Sequence, residues 1–232
     1  MTPRNIACVL AHPDDETFCV GGIIAKNASA GHRIDLFCAT NGDAGKSAAV
    51  PVSSREELAE IRKRELAAAA RILGIQSVET PGYPDGTLHT IDPAPLIDDI
   101  IAFLRRHTPA IVLAFGPDGG PPGHRDHRAM SRATTAAFFL SGLHRTSRLF
   151  YHSWQFPLPD PRLTVEPIPP TAGIDVRAWK ATKRAAFEAH ATQQLSAAAF
   201  ETSFVDVERL AFAAGVPQPR AMIDELFEGL SS

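Results

Sequence analysis

Short unbroken apolar runs alternate along this chain with longer stretches whose apolar positions recur at helical spacing. Ile6-Ala7-Cys8-Val9-Leu10-Ala11 reads as a buried strand, and Glu16 to Ala30, free of proline, reads as a helix capped by Asp14 or Asp15 and stopped near Gly31. Ile34 to Thr40 is a second strand, broken by the turn residues Asn41 to Gly45. Ser54-Arg55-Glu56-Glu57 has the form in which a serine and a glutamate cap a helix start reciprocally, and Leu58, Ile61, Leu66, Ala69 and Leu73 supply the apolar stripe that follows. Ser77 to Thr80 is a short strand, Asp92 or Pro93 opens a helix to about His107, and Ile111 to Phe115 is the fourth strand. His124 to Leu140 predicts another helix and Arg148 to Ser153 another strand. Residues 155 to 173 are proline-rich and predict an irregular or edge segment, Trp179 to Ala191 a helix, and the tail after Phe200 a short strand or loop with a final helix near Arg220 to Leu230.

This alternation predicts an α/β fold, a Rossmann-like, mostly parallel sheet with helices on both faces, formed as a single domain over residues 1–232. With 232 residues, 44% of them hydrophobic and 21% charged, the chain can bury one sizeable core. The formal net charge of −3 and the lack of a long basic run argue against a nucleic-acid partner. Met1 to Asn5 runs straight into the first strand without a secretory signal, and no run reaches transmembrane length. Cys8, Cys19 and Cys38 show no metal or redox spacing and read as small buried hydrophobes, so a cytoplasmic setting is expected. A homo-oligomer is left open.

Candidate chemistry sits at two strand ends. His12-Pro13-Asp14-Asp15-Glu16 follows the first strand and Gly123-His124-Arg125-Asp126-His127-Arg128 follows the fourth. A given pentapeptide turns up by chance in a chain this long on the order of once in ten thousand, and open α/β sheets bind ligands at the carboxyl ends of their strands. A catalytic zinc takes three nitrogen or oxygen ligands and keeps an open position, and His12, Asp15 and His127 supply that set. Coordination lowers the pKa of water from about 16 toward about 7, so a neighbouring carboxylate can take its proton; Asp14 is assigned as that base. His124, three residues before His127, stands beside the substrate as an imidazolium that stabilises an oxyanion or protonates the leaving amine, and Asp126 orients one of these imidazoles. Glu16 serves either a ligand or the helix dipole. His32, His89, His107 and His144 follow no ligand spacing and read as solvated or structural, and His152 as sheet packing.

With both clusters in place, the sequence resembles the PIG-L/LmbE family of zinc-dependent N-deacetylases, whose two signatures stand here as Ala11 to Glu16 and Gly123 to His127. Weaker similarities follow in the same order: Arg62 with Glu65, Tyr83-Pro84-Asp85-Gly86, and His190-Ala191-Thr192-Gln193. The resemblance implies a Zn2+ cofactor on His12, Asp15 and His127, a base at Asp14, assistance from His124, and an N-acylated amino sugar of the N-acetylglucosamine type as substrate. Arg62, Asp85, Asn41 and His190 are the substrate-binding residues expected on that basis. Pro121-Pro122 stands where the mycothiol-pathway members carry a tyrosine, so that residue's help to an oxyanion does not carry over. The loops at 42 to 53 and 155 to 173 are expected to set the aglycone and acyl preference. Two other readings remain: a zinc amidase for non-sugar N-acyl amides, and a non-haem iron oxidoreductase using the same two-histidine, one-carboxylate set. A nicotinamide enzyme is disfavoured because no G-x-G-x-x-G follows the first strand.

Overall fold

The computed structural model describes residues 4–47, 50–120, 123–154 and 168–230. In chain order the strands and helices begin with β1 (Asn5–Leu10), α1 (Asp15–Ser29), β2 (Arg33–Cys38), α2 (Arg55–Leu73), β3 (Ser77–Glu79) and α3 (Pro93–His107). They continue with β4 (Ile111–Phe115), α4 (Arg125–Leu140), β5 (Arg148–His152), β6 (Ala172–Asp175), α5 (Lys180–Glu188), α6 (Ala197–Ser203) and β7 (Val207–Gly215). One seven-stranded sheet runs in the order β3-β2-β1-β4-β5-β7-β6. The first five are parallel, and β7 is antiparallel to both β5 and β6.

This is the α/β sheet expected from the sequence, and its topology locates the site. From β1 the chain moves outward through α1 to β2, then returns through α3 to β4 on the other side of β1, so the strand order reverses between β1 and β4. Helices α1, α2 and α5 pack together on one face and α3 and α4 on the other. Strands β1, β2 and β4, wrapped on both faces, are buried almost throughout, which is why they read as unbroken apolar runs.

Local chemistry fixes the helix ends. Ser54 accepts from the Glu57 amide at 3.2 Å, while the Glu57 carboxylate reaches one residue further back than predicted, to the Ser53 amide at 2.7 Å. Helix α1 is interrupted at Val20, whose φ of −141° is not helical. The free amides of Gly22 and Ile23 that start its second half donate to the two oxygens of Glu208 at 2.9 and 2.8 Å. Buried Lys183 balances that carboxylate at 2.8 Å and also donates to the carbonyls of Phe18 and Ser203. A Cβ on Gly22 would lie 2.6 Å from Val176 Cβ, so glycine is needed for α1 to approach β6's end.

The chain's end corrects the sequence expectation. No helix forms between Arg220 and Leu230 among the described residues; Ile223 bridges Ala172 beside β6, and buried Arg148 donates to the carbonyls of Leu226 and Glu228 at 3.4 and 2.7 Å. The helical spacing is overridden because these backbone groups are taken by the sheet edge and by a guanidinium that needs acceptors. Helix α5 is also shorter than the predicted stretch, ending at Glu188. Of the proline-rich segment, 155–167 lies outside the described residues, and its end enters edge strand β6.

Replacing Glu208 by Leu leaves Lys183 buried without its counter-charge and two amides without an acceptor. Chemical denaturation is expected to show a loss of about 3–5 kcal/mol, partly recovered when Lys183→Met is added. A loss below about 1 kcal/mol would deny the pair its role in holding the break in α1.

Candidate metal centre and active-site cleft

Because β1 and β4 are paired neighbours, the loops leaving Leu10 and Phe115 emerge side by side. The turn after β1 is tightly specified. The Asp15 Oδ2 accepts the amides of Ala11 at 3.2 Å and His12 at 2.7 Å, which folds the loop back over the strand end. Asp14 caps α1 with φ of 110° and ψ of −27°, a left-handed conformation that costs a residue with a Cβ and is typical of strained functional positions. Its amide is held by Glu16 Oε2 at 2.9 Å. Glu16 in turn accepts from Thr17 and from His190 Nε2, each at 2.7 Å, so a fully buried carboxylate and a fully buried imidazole lock the strained residue in place.

Ligand-type atoms of three residues converge at the loop. His12 Nδ1 lies 3.2 Å from His127 Nε2, His127 Nε2 lies 3.3 Å from Asp15 Oδ1, and His12 Nδ1 lies 3.4 Å from Asp15 Oδ2. A tetrahedral zinc site with bonds of about 2.0–2.1 Å has ligand–ligand edges of about 3.3–3.4 Å, and the separations of His127 Nε2 from His12 Nδ1 and from Asp15 Oδ1 lie close to that value. The outer nitrogens fit as well. His127 Nδ1 is 3.1 Å from the Gly119 carbonyl, and His12 Nε2 lies 3.0 Å from Asp85 Oδ1 and 3.6 Å from Asp126 Oδ2, though off the best hydrogen-bond axis to either. Each imidazole thus turns one nitrogen to an acceptor and leaves the other for a metal. His124 also brings a ring nitrogen within 4.8 Å of those of His12 and His127, and His12 does the same with Asp85 and Asp126.

The electrostatics match a cation site. Asp14, Asp15 and Asp85 line one cleft with Asp126 buried behind it, and burial raises the Asp14 carboxyl to about 6, with the Arg62 guanidinium pulling the other way. Burial opposes the charge on Asp126 too, but bonds from His12 and His89 outweigh it and hold that carboxyl at about 2. Burial opposes protonation of His12, yet its contacts with Asp126, Asp15 and Asp85 push its pKa well up. His124 goes the other way: burial first, then the nearby His127 and His12, lower it to about 4. Its Nδ1 accepts the Asp126 amide at 3.3 Å, which assigns the proton of the neutral ring to Nε2. This contact suits His124 to act as a neutral donor in place of the imidazolium expected from the sequence.

Two of the four residues expected to bind substrate lie on the cleft wall and two lie behind it. Arg62 and Asp85 line a cleft of about 500 Å3 together with Asp14, His124, Gln193 and Ser196. Arg62, 3% exposed, donates to the carbonyls of Gly42 and Pro13 and pairs with Asp14 Oδ2 at 3.2 Å. Gly42, at φ of 67°, leaves no room for a Cβ against that guanidinium. His190 is spent on Glu16, and Asn41 packs against Gly82 off the cleft, its Oδ1 buried without a hydrogen-bond partner among the described residues. Asp126 does not orient His124 or His127 through its carboxylate. Its oxygens take His89 Nδ1 at 3.1 Å and the Gly86 amide at 2.8 Å, and its nearest ring atom of the metal cluster is His12 Nε2. His89 is thus a site residue that spacing gave no hint of; only its place just after Asp85-Gly86 signals it. Ala44 and Gly45 also reach the cleft, as expected of the loop from 42 to 53, and Pro121-Pro122 lies outside the described residues.

Fold and site define the class: an α/β protein that gathers histidines and carboxylates for a divalent metal at the switch point of a parallel sheet. Residues 7–138, more than half of the 232, match the family described as PIG-L, GlcNAc-PI de-N-acetylase, and the chain belongs to that family. It is 30% identical over 207 residues to a probable N-acetyl-alpha-D-glucosaminyl L-malate deacetylase 2 from Bacillus anthracis, covering 89% of this chain and 86% of that protein. It is 28% identical over 243 aligned positions to 1D-myo-inositol 2-acetamido-2-deoxy-alpha-D-glucopyranoside deacetylase from Rhodococcus jostii (strain RHA1), covering 83% and 82%. Among solved structures, GalB, the 4-carboxy-2-hydroxymuconate hydratase of Pseudomonas putida KT2440, superposes with a TM-score of 0.76 over 94% of this chain and 99% of that one at 19% identity, a likeness of fold alone.

Zn2+ in hundredfold excess over its Kd should stabilise the protein by about 2.7 kcal/mol, read as a thermal shift that a chelator reverses; His127→Ala should show no shift. His89→Ala removes a donor from Asp126 and should weaken zinc binding about 10- to 100-fold in a chelator competition. His89→Asn, which keeps an N–H for the carboxylate, should restore most of it; equal loss in both variants would place His89 outside the ligand support.

Proposed function

We propose that the protein is a zinc-dependent amide hydrolase that removes an acetyl or related acyl group from the nitrogen of an N-acetylglucosamine-type conjugate. The observation that carries this reading is the convergence of His12, Asp15 and His127, whose ligand-type atoms lie 3.2 to 3.4 Å apart, next to the strained Asp14 at the floor of a polar cleft. His12, Asp15 and His127 would hold the ion. When bound, zinc supplies Lewis acidity and brings the pKa of water from about 16 toward about 7.

The chain's own residues account for the proton movements. Asp14, its Oδ2 fixed by Arg62 at 3.2 Å, takes the proton of the attacking water, and a carboxyl near 6 suits a base working close to neutrality. The same proton returns to the amide nitrogen as its bond to the carbonyl carbon breaks, and the second water proton follows as the new acid ionises, so the products are an ammonium and a carboxylate. His124, whose Nδ1 accepts the Asp126 amide, would offer its Nε2–H as a neutral donor to the oxygen on which negative charge grows. Arg62, Asp85, Gln193 and Ser196 give the cleft the hydrogen-bonding groups that a sugar's hydroxyls require. Three free cysteines, two of them buried in strands, suit a reducing compartment, and we place the protein in the cytoplasm.

The deciding experiment is primary-amine release by zinc-loaded protein from N-acetylglucosaminides and from non-sugar N-acetyl amides. Asp14→Ala should keep its zinc and lose most turnover, and His124→Ala should keep its zinc and slow turnover by about a hundredfold or more. Cleavage confined to non-sugar amides would leave the hydrolase and remove the sugar; loss of zinc from Asp14→Ala would remove the division between base and ligand.

A further inference from the structure

The cleft does not end at the candidate ligands. A second cavity of about 130 Å3 lies against the same residues, with Asp15, Phe18, His127 and Ala199 lining both spaces. Its other walls come from Cys19, Phe115, Gly120, His152 and Ser203. The Phe115 ring stacks on the His127 ring with centroids 3.8 Å apart, and Phe18 is held edge-on by Phe187 and Phe200 at 5.4 and 5.5 Å. Burial pushes the His152 imidazole down to about 3, so it contributes an uncharged ring at neutral pH. Arg62, Asp85 and Gln193 belong to the outer cleft and not to this inner space.

An amide carbonyl has two substituents, and two spaces of opposite character diverge where it would react. The nitrogen with its hydroxyl-rich group suits the polar cleft, and the carbon chain is left facing the apolar cavity. Size decides how long that chain is. One water occupies about 10–15 Å3 on this measure and a cavity of about 150 Å3 takes up a benzene ring, so 130 Å3 is several times what the methyl of an acetyl group fills. A further space of about 50 Å3 shares Phe18, Cys19, His152 and Ser203 and is lined on its other side by Trp154 and Arg209. We propose, building on the hydrolase reading above, that the acyl group this site is shaped for is longer than acetyl: a straight chain of about four to six carbons, seated between Phe18, Phe115 and Cys19. Hydrolysis breaks the C–N bond, adds the water oxygen to the carbonyl carbon, sends the proton to the departing amine, and leaves the fatty carboxylate with its tail in this cavity.

The test compares N-acetyl-, N-butyryl- and N-hexanoyl-glucosaminides as substrates of the zinc-loaded protein, and measures by calorimetry the binding of acetate, butyrate and hexanoate as product carboxylates. Each buried methylene should raise affinity about fourfold, equivalent to about 0.8 kcal/mol, so hexanoate should bind much tighter than acetate and the longer glucosaminides should show the higher kcat/KM. Cys19→Phe, checked for an unchanged unfolding midpoint, should reverse that order by filling the cavity. Efficient cleavage of the acetyl compound alone, with carboxylates that bind no tighter as they lengthen, would overturn this inference and leave the deacetylase reading standing. If no glucosaminide is cleaved, that reading fails instead, and the carboxylates still decide the cavity: a chain-length dependence abolished by Cys19→Phe upholds it, and its absence refutes it.

Discussion

Pairing β1 directly with β4 is the constraint on which everything at the site depends. Parallel neighbours point their carboxyl ends the same way, so the pairing of Cys8 with Leu113 brings the loops that carry His12 and His127 to one edge. No local sequence feature could do this, because the two imidazoles are 115 residues apart in the chain. The sheet also separates its two duties. The middle of β1 and β4 is an apolar core, while only the last turn of backbone beyond each strand carries charge.

A strained, charged edge needs support, and the support comes from buried polar contacts away from the cleft. Asp14 keeps its left-handed backbone because Glu16 holds its amide and His190 holds Glu16. Arg62 closes the other side, donating to Pro13 and Gly42 while pairing with Asp14. Glu65, one turn further along α2, binds the amide and hydroxyl of Thr192 and so ties that helix to the segment that carries His190 and Gln193. The same logic recurs in α1, where Glu208 supplies from β7 the acceptors that the break at Val20 would otherwise leave missing. At Thr192 and in α1 alike, a carboxylate borrowed from a distant element completes a helix start that its own sequence leaves open.

The legible parts of this sequence were those governed by local periodicity and by strands buried on both faces. Strands β1 and β4, the caps at Ser54 and Asp92, and the placement of both His/Asp clusters all follow from short-range pattern. What could not be read depends on contacts that only the folded chain makes. His89 becomes part of the site because the turn after Asp85 passes beneath Asp126, and nothing in its own neighbourhood says so. The tail from Arg220 has helical spacing, yet Arg148 and the edge of β6 claim its backbone. Arg62 and Asp85 reach the cleft, while Asn41 and His190, equally polar, are spent on packing and on Glu16.

The separation of the two signature loops also has a consequence for how the protein is made. While the ribosome has delivered only β1, α1 and β2, the His12 loop exists without its partner, and a passing ion meets at most part of a coordination shell. The second imidazole arrives only when β4 inserts beside β1, after α2, β3 and α3 have been synthesised. A long loop must close before that contact rewards it. With the proposed ligand set, metal loading is then a late event that reports a correctly threaded sheet, and a nascent chain stalled before β4 has no complete site in which to trap the wrong ion.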